Sequence, residues 1–113
     1  MIEYWHNPRC SKSRQGLTLL EEKGAELSVR KYLEDAPSLD ELRAVQSALG
    51  VAVIAMMRTG EKTFKELGLS KDADDTALLR AMADHPILIE RPLGRVGDKA
   101  VIGRPPENLL DLL

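Results

Sequence analysis

The residues able to do chemistry crowd into one stretch, Trp5-His6-Asn7-Pro8-Arg9-Cys10-Ser11-Lys12-Ser13-Arg14, which holds the only cysteine of the 113-residue chain. A thiol does covalent work as its thiolate, so the question is what would draw a proton off Cys10. Before the stretch, Ile2 and Tyr4 alternate with Glu3 as in a short strand. After it, Leu17 and Leu20 carry a helical pattern that stops near Gly24. Cys10 is therefore expected at a strand-to-helix junction. There the first N–H groups lack intrahelical partners, and the macrodipole favours negative charge. Arg9, Lys12 and Arg14 add positive charge nearby. His6 is expected as an electrostatic partner of the thiol. Ser13 is expected to cap the helix or to donate a hydrogen bond to the thiolate, two compatible roles. A lone cysteine is most often a small buried hydrophobe, but these polar neighbours make no core.

Three arginines form a second set of candidates. Arg58 follows an apolar helical piece, Arg91 precedes a proline and Arg104 closes a strand. Each stands at an element end, where guanidinium forks can converge on a tetrahedral oxyanion. For any one of them a solvated surface position is the competing reading. His85, just before Pro86, reads as a helix-end residue rather than a catalyst.

The elements that must position these groups follow from patterning. A strand over about 2–5, a helix over about 11–23 and a strand over about 27–31 make a βαβ unit, which favours a parallel pair with a right-handed crossover. Gly16 inside the helix costs about 1 kcal/mol against Ala, so close packing or simple tolerance must explain it. Ser38 and Glu41 match a capping box for a helix ending at Gly50, with Leu39, Leu42, Val45 and Leu49 on its buried stripe. Shorter helical pieces are expected over 53–57 and 61–69, then a helix capped by Asp74 or Asp75 that runs to Asp84. Ile54, Met56 and Met57 read as core filler. Ile87-Leu88-Ile89 and Lys99-Ala100-Val101-Ile102 read as a hairpin around a turn from Gly94 to Asp98. Pro105-Pro106 opens a terminal helix.

Composition sets limits. A hydrophobic share of 43%, a charged share of 30% and a net charge of −2 describe an ordinary globular chain, expected as a single domain over 1–113. No basic field argues for nucleic acid. No apolar run approaches the roughly 20 residues of a membrane span. With Met1 leading directly into the first strand, no leader is expected, and one cysteine with no internal disulfide suits a reducing cytoplasm.

A βαβ unit followed by ββα, with a thiol at the first strand–helix junction, is the thioredoxin-like arrangement. Its usual redox motif is C-x-x-C; here the spacing is Cys10-Ser11-Lys12-Ser13, so Ser13 stands where a resolving cysteine would be. An oxidised Cys10 must then be resolved by a thiol from another molecule. The segment from His6 to Arg14 resembles the active-site loop of the ArsC family, the glutaredoxin-linked arsenate reductases. The likeness continues through Tyr32-Leu33-Glu34, Glu66-Leu67-Gly68-Leu69, His85 to Pro92 and Ile102-Gly103-Arg104-Pro105. The chain is similar to a shorter branch of that family.

The resemblance implies a thioredoxin-like α/β fold, with a four-stranded mixed sheet and a helical insertion between strands 2 and 3. It implies that Cys10 attacks arsenate, aided by His6 and Ser13. Arg58, Arg91 and Arg104, with Arg14, hold the oxyanion. Pro92 resembles the cis-proline set beside the reactive cysteine in such folds. No bound cofactor or metal is implied; glutathione is the co-substrate and glutaredoxin the protein partner of a monomeric, cytoplasmic enzyme. Three rivals stand beside this reading. One is a glutathione-dependent thiol reductase with another substrate. The second is a transcriptional regulator resembling the Spx proteins, which commonly carry C-x-x-C. The third is a low-molecular-weight phosphatase, whose C-x5-R loop would need arginine at Gly16.

Overall fold

The computed structural model describes all residues, 1–113. The chain divides into two compact units, residues 1–35 with 91–113, and residues 36–90. In the first, β1 (Ile2–Trp5), α1 (Ser11–Glu22) and β2 (Leu27–Arg30) are followed after the second unit by β3 (Leu93–Val96) and β4 (Lys99–Ile102). A 3-10 helix over Pro106–Leu112 ends the chain, in place of the ordinary helix that the sequence predicts. The sheet order is β2-β1-β3-β4. β1 pairs parallel with β2, with Ile2 opposite Leu27, and antiparallel with β3, with Tyr4 opposite Gly94. The mixed four-stranded sheet is therefore the one expected, and residues 36–90 are the helical insertion between β2 and β3.

α1 lies where the apolar spacing puts it, and its end is chemically determined. Gly24 adopts φ +74°, a left-handed conformation open to glycine at little cost. Its N–H donates to Glu21 O, and the Ala25 N–H donates to Leu20 O, which satisfies two carbonyls of the last turn. Gly16 is explained by packing. A Cβ there would stand 2.5 Å from the Tyr4 hydroxyl and 2.7 Å from Leu109 Cδ1. Helix α1 thus seats directly on β1 and the C-terminal segment, over a core of Ile2, Tyr4, Leu20, Leu109 and Leu112.

The hairpin differs from expectation in its first strand. Residues 86–88 form a 3-10 turn opened by Pro86, and Ile89 makes only an isolated bridge to Met57. The apolar run 87–89 serves the core of the second unit, where Leu88 and Ile89 are fully buried. The true strand, β3, reads Leu93-Gly94-Arg95-Val96, too poor in β-branched residues to announce itself. Gly94 leaves room for the C-terminal segment, since a Cβ there would stand 2.7 Å from Leu112 Cδ1 and 3.2 Å from Leu109 Cδ2. The connection to β4 is the two-residue turn Gly97-Asp98.

In the second unit, α2 (Leu39–Leu49) begins with the expected capping box: Ser38 Oγ accepts from the Glu41 N–H at 3.1 Å, and Glu41 Oε1 accepts from the Ser38 N–H at 3.0 Å. α3 spans Lys62–Glu66 and α4 spans Asp75–Asp84. Asp74 occupies the N-cap of α4 without a side-chain capping bond. Leu42, Val45, Met56, Leu78, Met82 and Leu88 fill the interior. No helix is long and apolar enough to cross a membrane.

Gly16→Ala tests the seat of α1. The helix propensity gained is about 1 kcal/mol, whereas forced overpacking costs about 1–3 kcal/mol. Urea denaturation should show net destabilisation, and a more stable variant would mean that Tyr4 and Leu109 yield easily.

Candidate active site

Cys10 is the N-cap residue of α1, half-exposed, with an extended backbone. The loop before it is pinned from several sides. Its N–H donates to Asn7 O at 3.0 Å, the Arg9 N–H donates to Asn7 Oδ1 at 3.1 Å, and Arg14 Nη1 donates to Pro8 O at 2.9 Å. Partial burial pushes the thiol up. The backbone N–H of Ser13, the charge of Arg91, the backbone N–H of Lys12 and a hydrogen bond from the Arg91 side chain together outweigh it, so the pKa is lowered. Helix N-terminus and cation therefore act as expected. The cation that matters is Arg91, eighty-one residues away along the chain; Arg14 is occupied with the Pro8 carbonyl.

Ser13 is fully buried and works in three directions. Its Oγ accepts from the Asn7 N–H at 2.9 Å and shares a 2.7 Å hydrogen bond with His6 Nδ1. Its carbonyl accepts from the Tyr4 hydroxyl at 2.6 Å. The main chain of Ser13, not its hydroxyl, favours the thiolate. His6 is pushed down by burial, then by the charges of Lys31 and Arg14. At neutral pH it is uncharged. Its place in the structure is that of a hydrogen-bonding anchor for Ser13, not of a positive charge beside sulfur. Burial also raises the Tyr4 phenol far above its usual range, so it stays a donor.

The arginines divide. Arg104 Nη1 donates to Arg91 O at 3.2 Å, and the Arg104 carbonyl accepts from Asn108 Nδ2 at 3.3 Å. Cys10, Arg91 and Arg104 are thus joined in sequence. Both following peptide bonds, Arg91-Pro92 and Arg104-Pro105, are cis, and Pro92 Cγ lies near the Cβ position of Gly16 and Gly103. Arg58 sits in the second unit, its guanidinium 2.8 Å from Glu61 Oε1 and its N–H donating to Leu88 O. His85 ends α4, as expected. No cluster of histidine, cysteine and carboxylate could hold a metal. Sequence reasoning missed Tyr4 and Lys31. A buried phenol needs a partner, which was a usable signal for Tyr4. Lys31 gave none, because only the folded chain sets it near His6.

A lowered thiol at the N-cap of the first helix of a β2-β1-β3-β4 sheet, with a cis-proline loop bearing its cation, defines a thioredoxin-like protein. The ArsC family model matches residues 5–112, and the chain belongs to the ArsC family. An arsenate reductase of Neisseria meningitidis is 51% identical over 110 residues, covering 96% of this chain and 94% of that protein. One from Haemophilus influenzae is 45% identical, covering 96% of each. The structure of an arsenate reductase from Vibrio cholerae superposes with a TM-score of 0.95 at 48% identity, covering 99% of this chain and 97% of that one.

Two outcomes follow from the electrostatics. Arg91→Ala should raise the Cys10 pKa and slow alkylation at pH 7, with Arg14→Ala having the smaller effect; alkylation rates followed against pH decide it, and equal effects would displace Arg91 as the main cation. The second concerns stability. A histidine depressed in the folded state is neutral in both states well above 6.5, its ordinary value. As pH falls through 6.5 the unfolded chain takes up a proton that the folded chain resists, so stability declines, by at most about 1.4 kcal/mol per pH unit. Denaturation curves of the parent and His6→Asn should converge in slope above that window and diverge within it.

Proposed function

We propose that this chain is an arsenate reductase in which Cys10 is the sole nucleophile. The observation that carries the reading is a thiol with lowered pKa, joined to Arg91 and through it to Arg104, in a chain closely similar to proteins named arsenate reductase. Cys10 thiolate attacks the arsenic of arsenate, and an oxygen leaves as water. Arg91 and Arg104 hold the remaining oxygens, with Arg14 as a further ligand. Guanidinium groups suit the task because they stay charged and present paired donors.

With Ser13 buried at the position of a second thiol, no internal cysteine can complete the reduction. Glutathione attacks the arsenic adduct, and glutaredoxin then removes that glutathione. Glutathione displaces a second oxygen as water. Glutaredoxin thiolate then attacks the glutathione sulfur, and the arsenic–glutathione bond breaks with its electron pair left on arsenic. The two thiols, oxidised to a mixed disulfide, have taken arsenic from the pentavalent to the trivalent state. Water hydrolyses the remaining Cys10–arsenic bond, so that arsenite departs and Cys10 returns to its thiol. A monomer in a reducing cytoplasm is the setting proposed.

The test is purified protein with arsenate, glutathione, glutaredoxin and NADPH, with arsenite measured directly. Cys10→Ser should abolish turnover with the fold intact, since a neutral hydroxyl is a far weaker nucleophile. Arg91→Ala and Arg104→Ala should each cost about 2–4 kcal/mol of transition-state stabilisation. Arsenite formation by Cys10→Ser would end the covalent mechanism, and no turnover by the parent would remove arsenate as substrate.

A further inference from the structure

Beside the Cys10 loop, on the side of β2, lies a hollow of about 260 Å³ bounded by Pro8, Arg9, Lys31, Leu33 and Glu34, together with the ring of His6. It is smaller than the roughly 300–1,000 Å³ of sites that enclose a whole drug-sized ligand, so it suits one end of a small molecule. Its lining carries two cations and one carboxylate, and His6 adds no charge at neutral pH. Arg9 and Lys31 are exposed, and neither enters an ion pair within the chain. Arg9 is the residue immediately before the nucleophile. A second, larger hollow runs along α1 from Ser11 to Glu22 and reaches Glu107. Its single cation, Arg14, is held by the Pro8 carbonyl and is outnumbered by Glu22 and Glu107. For an anionic partner the two hollows are therefore not equivalent.

We propose that the hollow between Arg9 and Lys31 receives a carboxylate end of glutathione and so aims its thiol at Cys10. This rests on the reading that glutathione is the reductant. The γ-glutamyl end of glutathione carries one carboxylate and one ammonium, which the two cations and one carboxylate of the lining can both meet. Pro8 and Leu33 give the peptide an apolar wall. The cations raise the local concentration of an anionic thiol near Cys10, an effect that salt screens.

The site can be tested without arsenate. Cys10 thiolate attacks one sulfur of glutathione disulfide; a Cys10–glutathione disulfide forms, the original S–S bond breaks and glutathione thiolate leaves. The same exchange with bis(2-hydroxyethyl) disulfide involves no carboxylate. The quantity read is the ratio of the two rates, which cancels any change in the reactivity of Cys10 itself. The parent should favour glutathione disulfide, and the double variant Arg9→Gln, Lys31→Gln should lower the ratio about tenfold, the size expected when two modest charge attractions are removed. Added salt should lower the parent's ratio in the same direction. A parent without preference, or a ratio in the variant within about twofold of the parent's, overturns the proposal. If arsenite formation fails while the ratio behaves as expected, arsenate is removed as substrate and the glutathione site stands.

Discussion

Much of this structure depends on the buried hydrogen bonding of Ser13. Its carbonyl takes the Tyr4 hydroxyl, its Oγ joins the Asn7 N–H to His6, and its own N–H favours charge on the Cys10 sulfur. Strand, loop and helix are tied at one residue. Left unmade in so dry a place, each of these bonds costs about 1–3 kcal/mol. The network therefore holds the start of α1 in place, and that position is what gives the helix N-terminus its effect on the thiol. It also accounts for Gly16, because the Tyr4 hydroxyl occupies the space that a side chain there would need.

The thiol stands between opposed influences. Burial alone raises it, and the amides of Ser13 and Lys12 with Arg91 bring it down. Two of these donors belong to the helix and are fixed when the helix forms. The third is delivered by a distant segment, and its carbonyl is held by Arg104. The arginine that favours the thiolate is therefore also one of those proposed to hold the arsenate. Keeping His6 neutral suits the same site, since an uncharged ring bonded to Ser13 leaves the positive field to the arginines.

The proposed reaction adds a second molecule's thiol, because the position that could have carried an internal one is a serine buried and committed to the loop. Substituting a resolving thiol there would remove the anchor that shapes the nucleophile's surroundings.

The sequence by itself determined the site's centre: a lone cysteine at a strand-to-helix junction, ringed by polar residues that no core would hold. It also determined the βαβ unit, the capping box at Ser38 and the end of α1 near Gly24, all of which arise from interactions a few residues apart. The likeness of the loop from His6 to Arg14 carried the family. Tertiary structure decided what depends on distant pairings. It placed β3 at the weakly patterned Leu93–Val96 instead of the apolar run 87–89, because burial in the insertion claimed Leu88 and Ile89. It selected Arg91 over the nearer Arg14 as the cation on the thiol, and it buried His6 and set Lys31 near it, which together disfavour charge on a ring that spacing alone read as an electrostatic partner. Charge state depends on burial and on neighbours brought in by folding, and local spacing records neither.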